Sequence, residues 1–126
     1  LKAWVKNVIE KLMAIIDGEK NEKYKSIVKF GLEYIVKHFD EPLTLTVLAN
    51  TVHVTPNYFS RIFREETGER FLECLNKYRI EKAKELLSDI SLKTYEVAEK
   101  VGFNDYKHFS YNFKKYVGCN PSEYKP

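Results

Sequence analysis

Asn57, Ser60, Arg61 and Arg64 put a carboxamide, a hydroxyl and two guanidinium groups within one short stretch, three and four residues apart. On a helix that spacing gathers them onto one face. No acid interrupts Thr55 to Arg64. A second such set follows at Tyr106, Lys107, His108, Tyr111, Lys114 and Lys115, with no acid from Tyr106 to Tyr116. What these groups share is the capacity to bond base edges and phosphate oxygens. A guanidinium can bond guanine at two points and a carboxamide adenine, each such pair being worth about 1–3 kcal/mol of discrimination. Base reading is therefore expected of Asn57, Ser60 and Arg61 and of Tyr106, Lys107 and Tyr111. Phosphate contacts that fix register are expected of Thr55, Tyr58, Arg64, His108, Lys114 and Lys115. For any one of them the plain alternative is a solvated surface side chain.

Other chemistry is poorly supported. His38, His53, His108, Cys74 and Cys119 form no catalytic or zinc-binding spacing, so neither an enzyme nor a metal or other cofactor is expected. The unpatterned cysteines fit a reduced, cytoplasmic chain. No apolar run is long enough to span a membrane. The formal net charge of +3 is only mildly basic, so the case rests on where the charge falls. With 126 residues and 44% hydrophobic composition the chain can build a real core, and its 9 Tyr and 8 Phe must supply much of it.

The elements that position these residues read as all-α. A first amphipathic helix is expected from Leu1 to about Asp17, with Leu1, Trp4, Val5, Val8, Ile9, Leu12, Ile15 and Ile16 on one side and Lys2, Lys6, Glu10 and Lys11 on the other. Gly18 to Lys25 reads as a turn or linker. A second helix runs from about Ser26 to Phe39, its wide apolar face made by Ile27, Val28, Phe30, Leu32, Tyr34, Ile35, Val36 and Phe39, and Asp40, Glu41 and Pro42 stop it. Leu43 to Val52 is a short helix opened by Thr44 or Thr46. Thr55, followed by Pro56, caps a helix that ends at Gly68. A long helix covers about 71–88, with Leu72, Leu75, Tyr78, Ile80, Ala83, Leu86 and Leu87 inward. Thr94 is expected to cap a short helix to Val101, and Asp105 to Tyr116 is another, ended by Gly118. Pro121 to Tyr124 is a last turn.

Two segments repeat. Leu48 to Gly68 reads LANTVHVTPNYFSRIFREETG and Val97 to Gly118 reads VAEKVGFNDYKHFSYNFKKYVG. Each has an alanine (Ala49, Ala98), a tight turn, Phe-Ser, a second Phe four residues after the first, a base and a closing glycine. The second turn is one residue longer. A small residue lets two helices cross closely, and Phe59/Phe63 and Phe109/Phe113 each lie one helical turn apart, facing a core. This is the pattern of a helix-turn-helix, and the remaining outward face of each second helix is the basic one, with Asn112 counted among its exposed residues. Two such units on one stiff helix are expected to enter adjacent major grooves about 34 Å apart, bending the DNA at a cost of order a few kcal/mol.

From about Ile27 to Lys125 the chain resembles the DNA-binding domain of the AraC/XylS family of bacterial transcription regulators. The pieces that carry the likeness are LTLTVLANTVHVTPNYFSRIFREETGERF, YRIEKAKELL and VAEKVGFNDYKHFSYNFKKYVGCNPSEY, including Gly102, Phe103, Phe109, Phe113, Gly118, Pro121 and Tyr124. The resemblance implies two helix-turn-helix lobes, at about 43–68 and 94–118, joined by a linker helix at about 71–88 in which Arg79, Ile80, Ala83 and Leu86 match the family pattern. The family's base-reading positions fall on Asn57, Ser60, Arg61, Tyr106, Lys107 and Tyr111. Tyr95, Tyr111 and Lys125 depart from the frequent Ile, Arg and Arg, and Tyr111 leaves the base preference of the second lobe open.

The segment 1–25 lies outside that match, 26–126 being the domain. An amphipathic helix there resembles the connector of YesN-type response regulators, which follows a phosphorylatable receiver. A connector from a sugar-sensing domain is the alternative for this helix, and for the domain itself a helical protein-interaction module is a more remote reading than DNA binding. Its apolar stripe can fold onto its own domain or pair with a second copy, giving a homodimer through this helix or through a missing domain. Because the chain opens at Leu1 inside a helical pattern, it is expected to be a fragment of a longer protein. Its expected partners are double-stranded DNA and RNA polymerase.

Overall fold

The computed structural model describes residues 22–126 together with Asn7. The connector helix expected over 1–17, with most of the link after it, lies outside the described residues. What is described is all-helical, in seven helices: α1 Glu22–His38, α2 Leu45–Thr51, α3 Pro56–Thr67, α4 Phe71–Leu86, α5 Thr94–Lys100, α6 Tyr106–Val117 and α7 Pro121–Tyr124. The helix α1 begins four residues before the expected start, at Glu22. Its extra turn is held on the outside by Tyr24, whose ring meets the edge of Tyr58 at 6.4 Å.

Two compact units divide the chain. Among the described residues the first comprises 22–38 and 43–74, and the second 39–42 and 75–126. The helix α4 gives its first four residues to the first unit and the rest to the second.

In the first unit α1 and α2 both pack on α3. Ile27, Val28, Leu32 and Ile35 of α1 are buried with Leu48, Ala49, Phe59, Ile62, Phe63 and Phe71. Phe71 meets the rings of Phe59 and Phe63 edge-on, at 5.8 and 5.2 Å. Gly31 lets α1 approach closely: a Cβ there would lie 3.0 Å from the Phe63 ring. The face expected to be one broad apolar surface is therefore two. The row around Gly31 is core, whereas Phe30 and Tyr34 are half-buried and Val36 is exposed. A 100° stripe is all one helix neighbour can cover.

The second unit has its own core: Ile80, Ala83, Leu87, Val97, Ala98, Val101, Phe103, Phe109 and Phe113. Here α5 packs on α6, and α6 on α7. Leu72, expected inward, is 50% exposed: it follows Phe71, which takes the inward place at the start of α4. Arg79 is buried at 8% exposure. Its Nε donates to the Phe39 carbonyl at 2.6 Å and its Nη2 to that of Glu41 at 3.0 Å, while the guanidinium lies 5.6 Å from the Phe103 ring centre. Burial lowers its pKa and the Asp40 charge opposes that shift. The residues that stop α1 are thus satisfied by a buried cation.

The caps largely follow the sequence. The Thr44 hydroxyl accepts from Val47 N, and the Thr55 hydroxyl from Tyr58 N at 3.1 Å. The expected cap at Thr94 does not form. Lys93 holds that position, and the Glu96 carboxylate reaches back to accept from Lys93 N at 2.9 Å. An acid in the first turn can satisfy the free amide there without any capping hydroxyl.

Candidate nucleic-acid interface

The turn of each helix-turn-helix is built alike. Val54 N donates to the Ala49 carbonyl and Phe103 N to that of Ala98, both at 3.0 Å. Between them the chain takes left-handed backbone at His53 (φ 60) and at Gly102 (φ 100). The second turn does carry one more residue before its helix resumes. Both second helices then present one register, with Phe59, Ile62 and Phe63 inward in α3 and Phe109, Asn112 and Phe113 inward in α6.

That register corrects one expectation. Asn112 is not on the exposed face but 5% exposed, at the place of Ile62. Its Nδ2 donates to the His108 carbonyl one turn back, at 2.9 Å. The side chain points at the core, and a buried amide must find a partner there.

On the outer face of α3, Thr55, Asn57, Arg61 and Arg64 are exposed, and Tyr58 and Ser60 are half-buried. Arg61 is held on two sides. Its guanidinium lies 5.3 Å from the Tyr58 ring centre, and Nη1 meets the Glu65 carboxylate at 3.2 Å. Both partners of that ion pair are about half exposed, so its hold is weak and Arg61 is released at little cost. Tyr58 also carries the Lys23 ammonium at 5.1 Å. Desolvation raises the pKa of the Tyr58 phenol, as does neighbouring Tyr24, against the pull of Arg61. It therefore stays neutral at pH 7, able to donate.

On the outer face of α6, Tyr106, Lys107, His108, Tyr111, Lys114 and Lys115 are all exposed. The Asp105 carboxylate caps the helix, accepting from Lys107 N at 2.8 Å. Tyr106 is tethered, its hydroxyl donating to Thr94 Oγ1 at 3.2 Å. Freed of a capping role, Thr94 thus fixes the ring of Tyr106. The His108 ring stands edge-on to Phe103 at 5.3 Å. Tyr111, 68% exposed, stands where α3 has Arg61, and Lys115 where it has Glu65. A shallow cleft of about 260 Å³ opens among Ser110, Tyr111, Lys114, Lys115 and Asn120.

In the first unit Asn57, Ser60, Arg61 and Arg64 recur at steps of three and four along α3, with Thr55 at its N-cap; in the second, Lys107, Tyr111, Lys114 and Lys115 do so along α6. Ser110 and Asn120 were missed. The repeat held a signal for Ser110, the counterpart of Ser60, but none for Asn120, which comes from the chain after α6. Among the described residues no cluster of His, Cys, Asp and Glu could hold a metal, and no helix is long and apolar enough to cross a membrane.

A family model described as a helix-turn-helix domain matches residues 48–126. An uncharacterized response regulatory protein of Staphylococcus epidermidis is 44% identical over 93 residues, which are 74% of this chain and 37% of that protein. The chain thus spans little more than a third of that relative's length. The C-terminal domain of AraT, a response regulator from Geobacillus stearothermophilus, superposes with a TM-score of 0.73 at 42% identity, covering 79% of this chain and 83% of that one. That of the two-component response regulator YesN from Fusobacterium nucleatum gives 0.71 at 35% identity, covering 81% and 97%. The DNA-binding domain of the transcriptional factor AdpA, solved with a target DNA, gives 0.71 at 26% identity, covering 78% and 88%. The family these share is one of transcription-regulator domains, not of enzymes.

Proposed function

The chain belongs to the AraC-type helix-turn-helix family of transcription regulators, and from that premise we propose that it is the sequence-specific DNA-binding output domain of a phosphorylation-controlled response regulator working in the cytoplasm. One observation carries the reading: two helices in the same register, each with an inward phenylalanine pair and an outward face free of acid over 55–64 and 106–116. The two faces enter adjacent major grooves, about 34 Å apart on one side of the duplex.

Their tasks differ. The first lobe reads bases through Asn57, Ser60 and Arg61. Arg61 exchanges its exposed Glu65 partner for a guanine edge. The second lobe carries a tethered Tyr106 and puts Tyr111 where the first has arginine, so with Lys107 it anchors the duplex more than it discriminates. Thr55, Tyr58, Arg64, His108, Lys114 and Lys115 hold phosphates, and Ser110 and Asn120 border that second site. RNA polymerase is the further partner proposed for the whole protein, with a homodimer formed through the N-terminal helix or through a domain upstream. The 1–25 segment connects that domain to this one.

Duplex binding at two salt concentrations tests the reading. Affinity should fall with salt, with a logarithmic slope of about −0.9 for each phosphate neutralised. Arg61→Ala should weaken a selected site by about 5–150-fold and random duplex far less. Salt-insensitive binding, or none, would sink the proposal, and equal losses on both duplexes would make Arg61 a phosphate contact.

A further inference from the structure

Two contacts compete to set the geometry of Arg61. One is the Glu65 carboxylate, 3.2 Å from Nη1. It occupies a donor that a guanine edge would need, so it is given up on binding and cannot orient the bound arginine. The other is Tyr58, three residues earlier on the same face of α3. The guanidinium lies over its ring, 5.3 Å from the centre. A cation over a ring face is drawn by the ring quadrupole and needs no acceptor atom. That contact survives the exchange and leaves N–H donors free for a base.

What fixes the Tyr58 ring comes from outside the helix-turn-helix. Tyr24, half-buried in the first turn of α1, meets it at 6.4 Å between centres and 67° between planes. Edge-to-face pairing is directional, because the positive edge of one ring seeks the negative face of the other. Lys23 also lies over the Tyr58 ring, at 5.1 Å. Two cations sharing one ring repel, so Lys23 works against the Arg61 contact and does not support it. Tyr24 brings no positive charge. All of these residues belong to the first unit. We infer that Tyr24 is a positioning residue for Arg61, acting through the ring of Tyr58, so that the first turn of α1 sets how sharply the first lobe reads bases. The inference rests on the base-reading role proposed for Arg61.

Binding of the full 126-residue chain to a selected duplex and to random duplex tests it. Tyr24→Leu keeps apolar bulk and removes the aromatic edge. It should weaken the selected site by about 2–5-fold, the worth of one exposed cation–π contact, and leave random duplex nearly unchanged. Tyr24→Phe restores the edge and should restore the ratio of the two affinities. In an Arg61→Ala background Tyr24→Leu should have no further effect, as expected of two residues acting through one contact. Neither Lys23→Gln nor Glu65→Gln should lower the ratio. Far-UV dichroism checks folding, and if Tyr24→Leu does not fold, Tyr24→Met takes its place with the same expectations. Equal losses on the two duplexes, or a loss that persists without Arg61, make the Tyr24 contact one of stability only and overturn the inference. So does a ratio that falls in Glu65→Gln, which would make the ion pair the positioning contact. If Arg61→Ala itself weakens both duplexes equally, the base-reading role fails and the inference with it. If Arg61→Ala weakens the selected site alone while Tyr24→Leu changes nothing, only the inference falls.

Discussion

His53 and Gly102 hold the same place in the two helix-turn-helix units, four residues after a buried alanine and both in left-handed backbone, yet only one of them is a glycine. The difference lies in what faces them. His53 is exposed, whereas a Cβ on Gly102 would lie 2.8 Å from the Phe39 carbonyl and 2.9 Å from Arg79 Nε. Opposite effects follow at one turn position. Gly102→Ala should destabilise by about 1–2 kcal/mol from the backbone alone, with about 1–3 kcal/mol more from overlap. His53→Gly relieves the first cost, and about 0.4–1 kcal/mol of added chain freedom offsets part of it. The net is a gain of between about 0 and about 1.6 kcal/mol on these figures. Urea unfolding of both variants decides the matter, and similar losses at the two positions would refute this account.

Arg79 should prove a structural cation. Arg79→Met removes both bonds to the carbonyls of Phe39 and Glu41 and should cost about 2–3 kcal/mol. Arg79→Lys should recover little, because an ammonium cannot reproduce the fork that spans two carbonyls or its stacking on Phe103. Chemical denaturation gives the values, and full rescue by lysine would show that charge alone matters.

Asn112 offers a test of the register. Its Nδ2 bonds a carbonyl of its own helix, and the matching residue in α3 is Ile62. Asn112→Leu should leave stability unchanged or raise it by up to about 1 kcal/mol, since removing a satisfied buried polar group for an apolar one of similar shape is close to neutral. DNA affinity should not change. A large loss of affinity with unchanged stability would return Asn112 to the interface.

Asp89 sets the expectation for acid. Ser91 donates to its carboxylate from Oγ at 2.6 Å and from N at 2.9 Å, and these bonds hold its pKa below the ordinary aspartate value, helped by the charge of Lys125. The folded value is the depressed one. The stability it contributes is therefore complete above the unfolded pKa and is lost as pH falls through the folded pKa. NMR titration should find Asp89 still ionised where an ordinary aspartate is half protonated. In Asp89→Asn the acid limb of the stability curve should be shallower.

The sequence alone determined the helices described over 22–126 to within their ends, the cap at Thr55, the start of α6 near Asp105, the repeat register, and the two basic faces, and it left the cap of α2 open between Thr44 and Thr46. These are local matters: the period of 3.6, the hydroxyl or carboxylate three or so residues before an amide, and the absence of acid from a stretch are all readable along the chain. Only the tertiary structure decided which apolar row of α1 is core, because that depends on Gly31 meeting Phe63, a residue distant in sequence. It also decided that Arg79 is buried against the carbonyls of Phe39 and Glu41 and that Thr94 holds Tyr106 instead of capping α5. Each of these turns on a neighbour supplied from elsewhere in the chain, and periodicity reports that a face exists without reporting what lies against it.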